Sequence, residues 1–314
     1  MGEKDMSRFL AVFFIFFFRI LLFSEKVLIF TSAYNRPDFI EIQCNTFKKF
    51  LRDEYVFVVF NDARDQILKR QIERTCSQLG VQCINIPQEI HDQPYLERWP
   101  GEGFHDPAVR NANVVQYALN ALGYDHPGIV VILDSDMFLV QPFSIKEFID
   151  GYDIAGIPQG NLSNGLKISY LWIGIAFLNM ENLPEKRMIN FNCGKINGVN
   201  VDAGGYTYHY LFKHPELKVK YLSNCLSSSL SCAECRSITE HYQCQHNLET
   251  LQKYGLDDAQ IDALHSGLEN VEFVINGAFF HYRSGTNWDR QTKRYHENKT
   301  LLFDEYIQRI LSSP

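Results

Sequence analysis

Three uninterrupted apolar runs, residues 27–30, 55–60 and 130–133, constrain this chain more than any other feature. A strand that is apolar at every position has no face to offer water, so it belongs inside a sheet covered on both sides, as parallel strands are. The segments between them supply the covers. Pro37 followed by Phe39, Ile40, Ile42, Phe47, Phe50 and Leu51 predicts an amphipathic helix with proline in its first turn. Residues 63–79 predict a second helix and residues 81–86 a short third strand. Strand, helix, strand, helix, strand is the order of a parallel sheet built with right-handed crossovers, so the expected fold class is α/β.

The third run continues to Val140 but is broken by two carboxylates one residue apart, Asp134 and Asp136. Burying unpaired carboxylates at a strand end is costly, and a divalent cation on hard oxygen ligands offsets that cost. Arg110 lies in the first turn of a helix that opens at Asp106-Pro107 and runs to about Leu122. The helix dipole disfavours a cation there, so Arg110 either pairs with a nearby acid or meets an anion brought by a ligand. Between the third strand and this helix, residues 87–107 lack periodicity and predict a long loop. Further on, the expected elements are strands at 154–157, 170–180, 218–222 and 271–280, a turn-rich link at 160–165, a glycine turn at 201–206, and helices at 208–212 and 248–268.

With 314 residues, 46% of them hydrophobic, the chain has ample core for one domain. The reading divides it into a leading segment 1–25 and a domain 26–314, with halves at 26–140 and 141–314. A net charge of −7 offers no basic face for nucleic acid. The apolar run 9–23, broken only by Arg19, is shorter than the roughly 20 residues of a spanning helix. A signal anchor, a cleaved signal and a buried leader helix stay open; membrane or secretory localisation is the expectation, and cytoplasmic the alternative. Cys225, Cys232, Cys235 and Cys244 fall within a short insertion at 223–247, which disulfides would staple in an oxidising compartment and zinc in the cytosol. The sequons at Asn161 and Asn298 have meaning only with secretion.

Asp134-Ser135-Asp136 after three alternating strands resembles the Asp-x-Asp motif of nucleotide-sugar glycosyltransferases of the GT-A fold. The apolar stretch Trp172–Met180 with its Gly174, the turn Asp202-Ala203-Gly204-Gly205, and the late segment His281 to Gly285 and Trp288 are similar to parts of the same enzymes, the last to glycogenin-like members. The resemblance implies a mixed α/β sheet flanked by helices and transfer of a hexosyl group from a nucleotide sugar, a UDP-sugar for preference, to a glycan, protein or lipid. It implies Asp134, Asp136 and His281 around Mn2+ or Mg2+, the histidine favouring manganese. Thr31, Ala33, Tyr34, Asn35, Asp62, Arg110, Asn113 and Ser135 would face the nucleotide donor. Trp172, Gly174, Gly204, Gly205, Gly285 and Trp288 would face the donor sugar or the acceptor. Asp134 and Asp202 are the catalytic candidates, with Glu102 a second possible base for an inverting reaction. Two rivals stand beside this reading. Haloacid-dehalogenase-like phosphatases also use Asp-x-Asp, but on their first strand, and a binding module would keep the fold without turnover.

Overall fold

The apolar runs become the centre of a seven-stranded sheet. In the computed structural model, which describes residues 26–92, 107–163, 166–222, 252, 258, 272–283, 285 and 293–313, β1 (Val27–Ala33), β2 (Tyr55–Asn61), β3 (Gln82–Asn85) and β4 (Ile129–Leu133) lie parallel in the order β3-β2-β1-β4. Neighbouring residues of β1 point to opposite faces. Val27 and Ile29 pack with Ile40 and Phe47 of α1 (Pro37–Phe50) and with Ile72 and Cys76 of α2 (Gln66–Leu79). Leu28 and Phe30 pack on the other face with Ala112, Val115 and Ala118 of α3 (Pro107–Ala118). Each large side chain so buried contributes roughly 1.5–3 kcal/mol, which is why runs with no polar position form the middle of the sheet.

Local signals set the helix ends. Helix α2 starts three residues later than the periodicity suggests, because the Asp65 side chain accepts hydrogen bonds from the Ile67 and Leu68 amides and so caps it. It stops at Gly80 in the left-handed conformation, φ +68°. Helix α3 ends in a π turn, Leu119–Gly123.

The second half adds antiparallel strands. The 130–140 run is not one strand. After β4 the chain turns at Asp134–Asp136, with the Met137 amide donating to the Asp134 carbonyl at 3.2 Å. It re-emerges as β5 (Met137–Leu139) in a separate three-stranded sheet. A short helix, α4 (Ile145–Ile149), leads to β6 (Ile154–Ser163) and β7 (Leu166–Asn179), and β7 pairs antiparallel with both β6 and β4. The expected link at 160–165 is therefore largely strand. Gly160 belongs there because a Cβ at that position would lie 2.9 Å from the Ile168 carbonyl oxygen. A hairpin of β8 (Gly194–Ile196) and β9 (Val199–Val201) precedes α5 (Thr207–Lys213) and the edge strand β10 (Val219–Tyr221).

The stretch expected as one strand at 271–280 is a hairpin of β11 (Glu272–Val274) and β12 (Phe279–His281). Asn276 and Gly277 both have positive φ and make the turn, with the Ala278 amide donating to the Ile275 carbonyl. Strand β12 pairs with β5, and α6 (Lys293–Ser312) packs Phe303, Tyr306 and Ile307 against Phe39, Phe138 and Phe280. The expected mixed sheet flanked by helices is what the chain forms. Among the described residues no helix is long and apolar enough to cross a membrane. The expectation of membrane or secretory localisation is corrected accordingly, since it rested on residues 1–25, which lie outside the described residues. Glu102, Trp288, most of the expected helix at 248–268 and the cysteines 225, 232, 235 and 244 lie outside them too, and nothing described supports zinc at those cysteines.

Candidate metal centre

Strand order reverses between β1 and β4, and ligands of α/β sheets bind outside the carboxyl ends of the strands at such a point. Asp134 and Asp136 are the first residues past the end of β4. Two neighbours lock their turn. The Asp134 amide donates to the Gly174 carbonyl of β7 at 2.8 Å. From α1, fully buried Gln43 donates through Nε2 to the carbonyls of Asp134 and Met137, at 2.9 and 3.0 Å.

The pairing of β12 with β5 sets His281 beside Met137, one residue from Asp136. Its Nε2 lies 3.3 Å from Asp136 Oδ1, and ligand atoms of Asp134, Asp136 and His281 all fall within 4.8 Å of one another. The Gly285 amide donates to Asp136 Oδ2 at 2.9 Å. A glycine is needed there, because a Cβ would stand 2.6 Å from the Phe39 ring and 3.0 Å from Asp136 Cβ. The Trp172 ring lies over Gly174 and 5.2 Å from the His281 ring. Asp136 Oδ1 is buried and accepts no hydrogen bond from the described residues. A buried carboxylate oxygen left in that state, with a second carboxylate and an imidazole in reach, is a donor set that fits a divalent cation.

Electrostatics divide the two acids. Burial, and then the neighbouring Asp136 carboxylate, pushes Asp134 up to about 7. Burial would raise Asp136 as well, but His281, the Gly285 amide and Lys299 outweigh it and hold Asp136 below the usual carboxylate range. Burial pushes the Lys299 ammonium down to about 7 from an ordinary 10.5, against the pull of Asp136. These shifts predict a dip in metal-free stability near neutral pH. The contribution of Asp134 is present below its ordinary 3.8 and is lost as pH rises through about 7. That of Lys299 is present above 10.5 and is lost as pH falls through about 7. Melting curves in chelator across this range should show the lowest midpoint near pH 7, and a midpoint that changes in one direction only would contradict the assignment.

A second network lies beside the first, over β1 and β2. Asp62, following β2, is 4% exposed and takes the Arg110 guanidinium at 2.7 Å and His91 Nε2 at 2.8 Å. Gln88 lies 3.3 Å from Arg110, and Asn113 meets the other nitrogen of His91 at 3.3 Å. Arg110 thus has its acid within the chain, and its guanidinium carbon lies 5.3 Å from the ring centroid of half-exposed Tyr34. Asn111 accepts from Ser32 Oγ at 3.3 Å and, on its other side, works against the rise in the proton affinity of Asp134. Thr31, Ser32, Asn111 and Asp134 are the polar residues lining a small, otherwise apolar pocket, and the Thr31 hydroxyl is buried with no hydrogen-bond partner among the described residues. Ala33 is buried and its carbonyl accepts the Asp62 amide, while Asn35 and Ser135 are partly exposed at the rims of β1 and β4.

The Asp202 turn joins β9 to α5, and its Gly204 sits against the backbone of Leu171 and Ile173, just before Gly174. Asp202 Oδ1 accepts the Ala203 amide at 2.7 Å, and Gly205 lies tight against Val201. Gln43, Asn111 and Lys299 were not anticipated. Gln43 and Lys299 had a signal, since each is a polar residue on the apolar stripe of its helix, Gln43 among Phe39, Ile40, Cys44 and Phe47, and Lys299 four residues before Phe303.

No known protein family matches the chain, and no curated protein matches it. Solved structures give distant likenesses. Glucosyl-3-phosphoglycerate synthase from Mycobacterium tuberculosis is 12% identical at a TM-score of 0.37, over 63% of this chain and 69% of that one. The bifunctional glycosyltransferase WbbM is 12% identical at 0.37, over 64% of this chain but 39% of its own length. Core-mannan synthase A from Aspergillus fumigatus is 10% identical at 0.32, over 52% and 62%. At such scores function has to be read from the site itself.

Proposed function

We propose that the chain is a metal-dependent glycosyltransferase that moves a sugar from a nucleoside-diphosphate sugar to a glycan, protein or lipid acceptor. The observation that carries this reading is the meeting of Asp134, Asp136 and His281 at the strand-order reversal, from segments far apart in sequence. The motif ends the fourth parallel strand, an arrangement unlike the first-strand motif of the phosphatases.

Asp136 and His281 would hold the cation, and Asp134 would complete the oxygen-rich side. When bound, a divalent cation supplies Lewis-acid stabilisation to a departing diphosphate. The chain's own residues do the rest. Thr31 keeps a buried hydroxyl with no hydrogen-bond partner among the described residues, and Tyr34, half-exposed just past β1, would offer its ring face to the nucleoside. Asp62 is occupied by Arg110 and His91, so it serves by fixing Arg110 in place for the donor. Trp172 packs its ring 5.2 Å from that of His281. Asp202 and the Gly204-Gly205 turn would meet the acceptor, with Asp202 the base if the reaction inverts.

The test is a thermal-shift panel of UDP, GDP, CDP and ADP, each with manganese, magnesium or chelator. A ligand that binds only the folded chain at a hundredfold excess over its dissociation constant stabilises it by about 2.7 kcal/mol. The expected result is a manganese-dependent rise with the uridine nucleotide. If no nucleotide raises the midpoint with any metal, the proposal is wrong. If one nucleotide does raise it, slow hydrolysis of the matching nucleotide sugar separates an enzyme from a module that only binds.

A further inference from the structure

We propose that Lys299 is a positioning residue for the metal centre, holding from α6 the turn that delivers His281 and the Gly285 amide to Asp136. The inference rests on the reading of Asp134, Asp136 and His281 as a divalent-cation site. Lys299 is 1% exposed. Its ammonium donates to the Tyr282 carbonyl and, at 2.8 Å, to the Arg283 carbonyl, and lies 4.0 Å from the centroid of the Tyr282 ring. A buried ammonium is costly, and the stripe it interrupts would pack an aliphatic residue at no such cost.

What the charge does follows from where its two acceptors lie. Both are carbonyls of the short link between His281 and Gly285. Arg283 has a φ of +40°, in the left-handed region that side chains other than glycine's disfavour. The Tyr282 amide donates to the Asp136 carbonyl at 2.8 Å, and the Gly285 amide reaches the Asp136 carboxylate. A cation shared by two carbonyls stabilises a bend the backbone would otherwise leave.

A second hold comes from the start of α1. Arg36 reaches the Gly285 carbonyl with Nη1 at 3.4 Å, while its Nε lies 2.9 Å from Asp38 and its guanidinium carbon 3.7 Å from the Phe39 ring centroid. Lys299 and Arg36 thus approach the same turn from different helices. Neither is in a position to ligate the cation, and both fix groups that meet Asp136.

The experiment measures manganese affinity on the full chain by the paramagnetic resonance signal of free aqueous Mn2+, at a temperature where circular dichroism shows each variant fully folded. Lys299→Met is expected to weaken manganese binding about 10- to 100-fold, and Lys299→Arg, which keeps charge and donors, to recover most of that loss. Asp136→Ala, the control, should bind no manganese. A role confined to packing would lower the melting temperature and leave the affinity of folded molecules unchanged, so unchanged affinity in folded Lys299→Met overturns the proposal. If Lys299→Met does not fold, Lys299→Gln and Arg36→Met decide: weakened manganese binding in both supports it, and wild-type affinity in both overturns it. If the wild type itself takes up no manganese, the metal reading falls and this inference with it.

Discussion

Asp136→Ala should abolish manganese binding and lower sugar transfer by at least about a thousandfold. Lewis-acid stabilisation of a leaving diphosphate amounts to several kcal/mol, and each 1.36 kcal/mol is a factor of ten in rate. Asp136 is the acid kept ionised, by His281, the Gly285 amide and Lys299, so its loss removes the site's most available anionic ligand. The fold should tolerate the change better than the chemistry does. The Gly285 amide loses its acceptor, a cost of about 1–3 kcal/mol, while Asp134 is relieved of the carboxylate beside it and its own affinity for a proton drops. Asp136→Asn separates the two effects, since the amide oxygen still accepts from Gly285 but ligates metal poorly. Transfer within tenfold of wild type in Asp136→Ala would mean that the reaction runs without this centre.

The largest effect on stability is expected at Gly204. Its φ is +93°, and a Cβ there would stand 2.0 Å from the Leu171 carbonyl oxygen and 3.3 Å from the Ile173 amide. Both neighbours are backbone of β7, where Leu171 pairs with Pro158 of β6 and its amide donates to Thr207 Oγ1 at 2.9 Å, so the clash has little room to relax. Backbone strain and overpacking of about 1–3 kcal/mol each predict that Gly204→Ala loses about 4 kcal/mol. That corresponds to a fall of roughly 10 °C in melting temperature for a domain of this size. Gly80→Ala is the comparison. Its φ of +68° carries strain, but a Cβ there meets nothing within 4 Å, so a loss of only about 1 kcal/mol is expected. Equal losses at the two positions, read from denaturation curves, would refute the close approach of the Asp202 turn to β7.

What could be read from sequence divides along physical lines. Strands β1, β2 and β4 were legible because they are apolar throughout, and Asp134 and Asp136 because they break such a run. The two late hairpins were not. Asn197-Gly198 and Asn276-Gly277 both carry the two-residue turn signal, but each sits inside a run that pattern alone reads as continuous or irregular. The separation of β4 from β5 was hidden for a related reason, since apolar character says that a residue is buried without saying in which sheet. At the candidate site, residue types with evident chemistry stood out, whereas Gln43 and Lys299, which act through backbone carbonyls, show only as misfits on an apolar stripe. For Arg110 the sequence offered two outcomes, and the structure gives it Asp62 as its partner.

The distance along the chain between the halves of the metal centre bears on how the protein is made. Asp136 and the Gly285 amide it accepts are 149 residues apart, and the lysine behind them lies further on still. A ribosome that has released the β1–β4 layer has exposed two carboxylates with nothing yet to neutralise them. Closing so long a loop is slow relative to local pairing. A partly synthesised chain can therefore bury its first hydrophobic layer well before it can retain a cation. Metal uptake during refolding or translation would mark the docking of α6, and its time course would follow the last long-range contact rather than the first collapse.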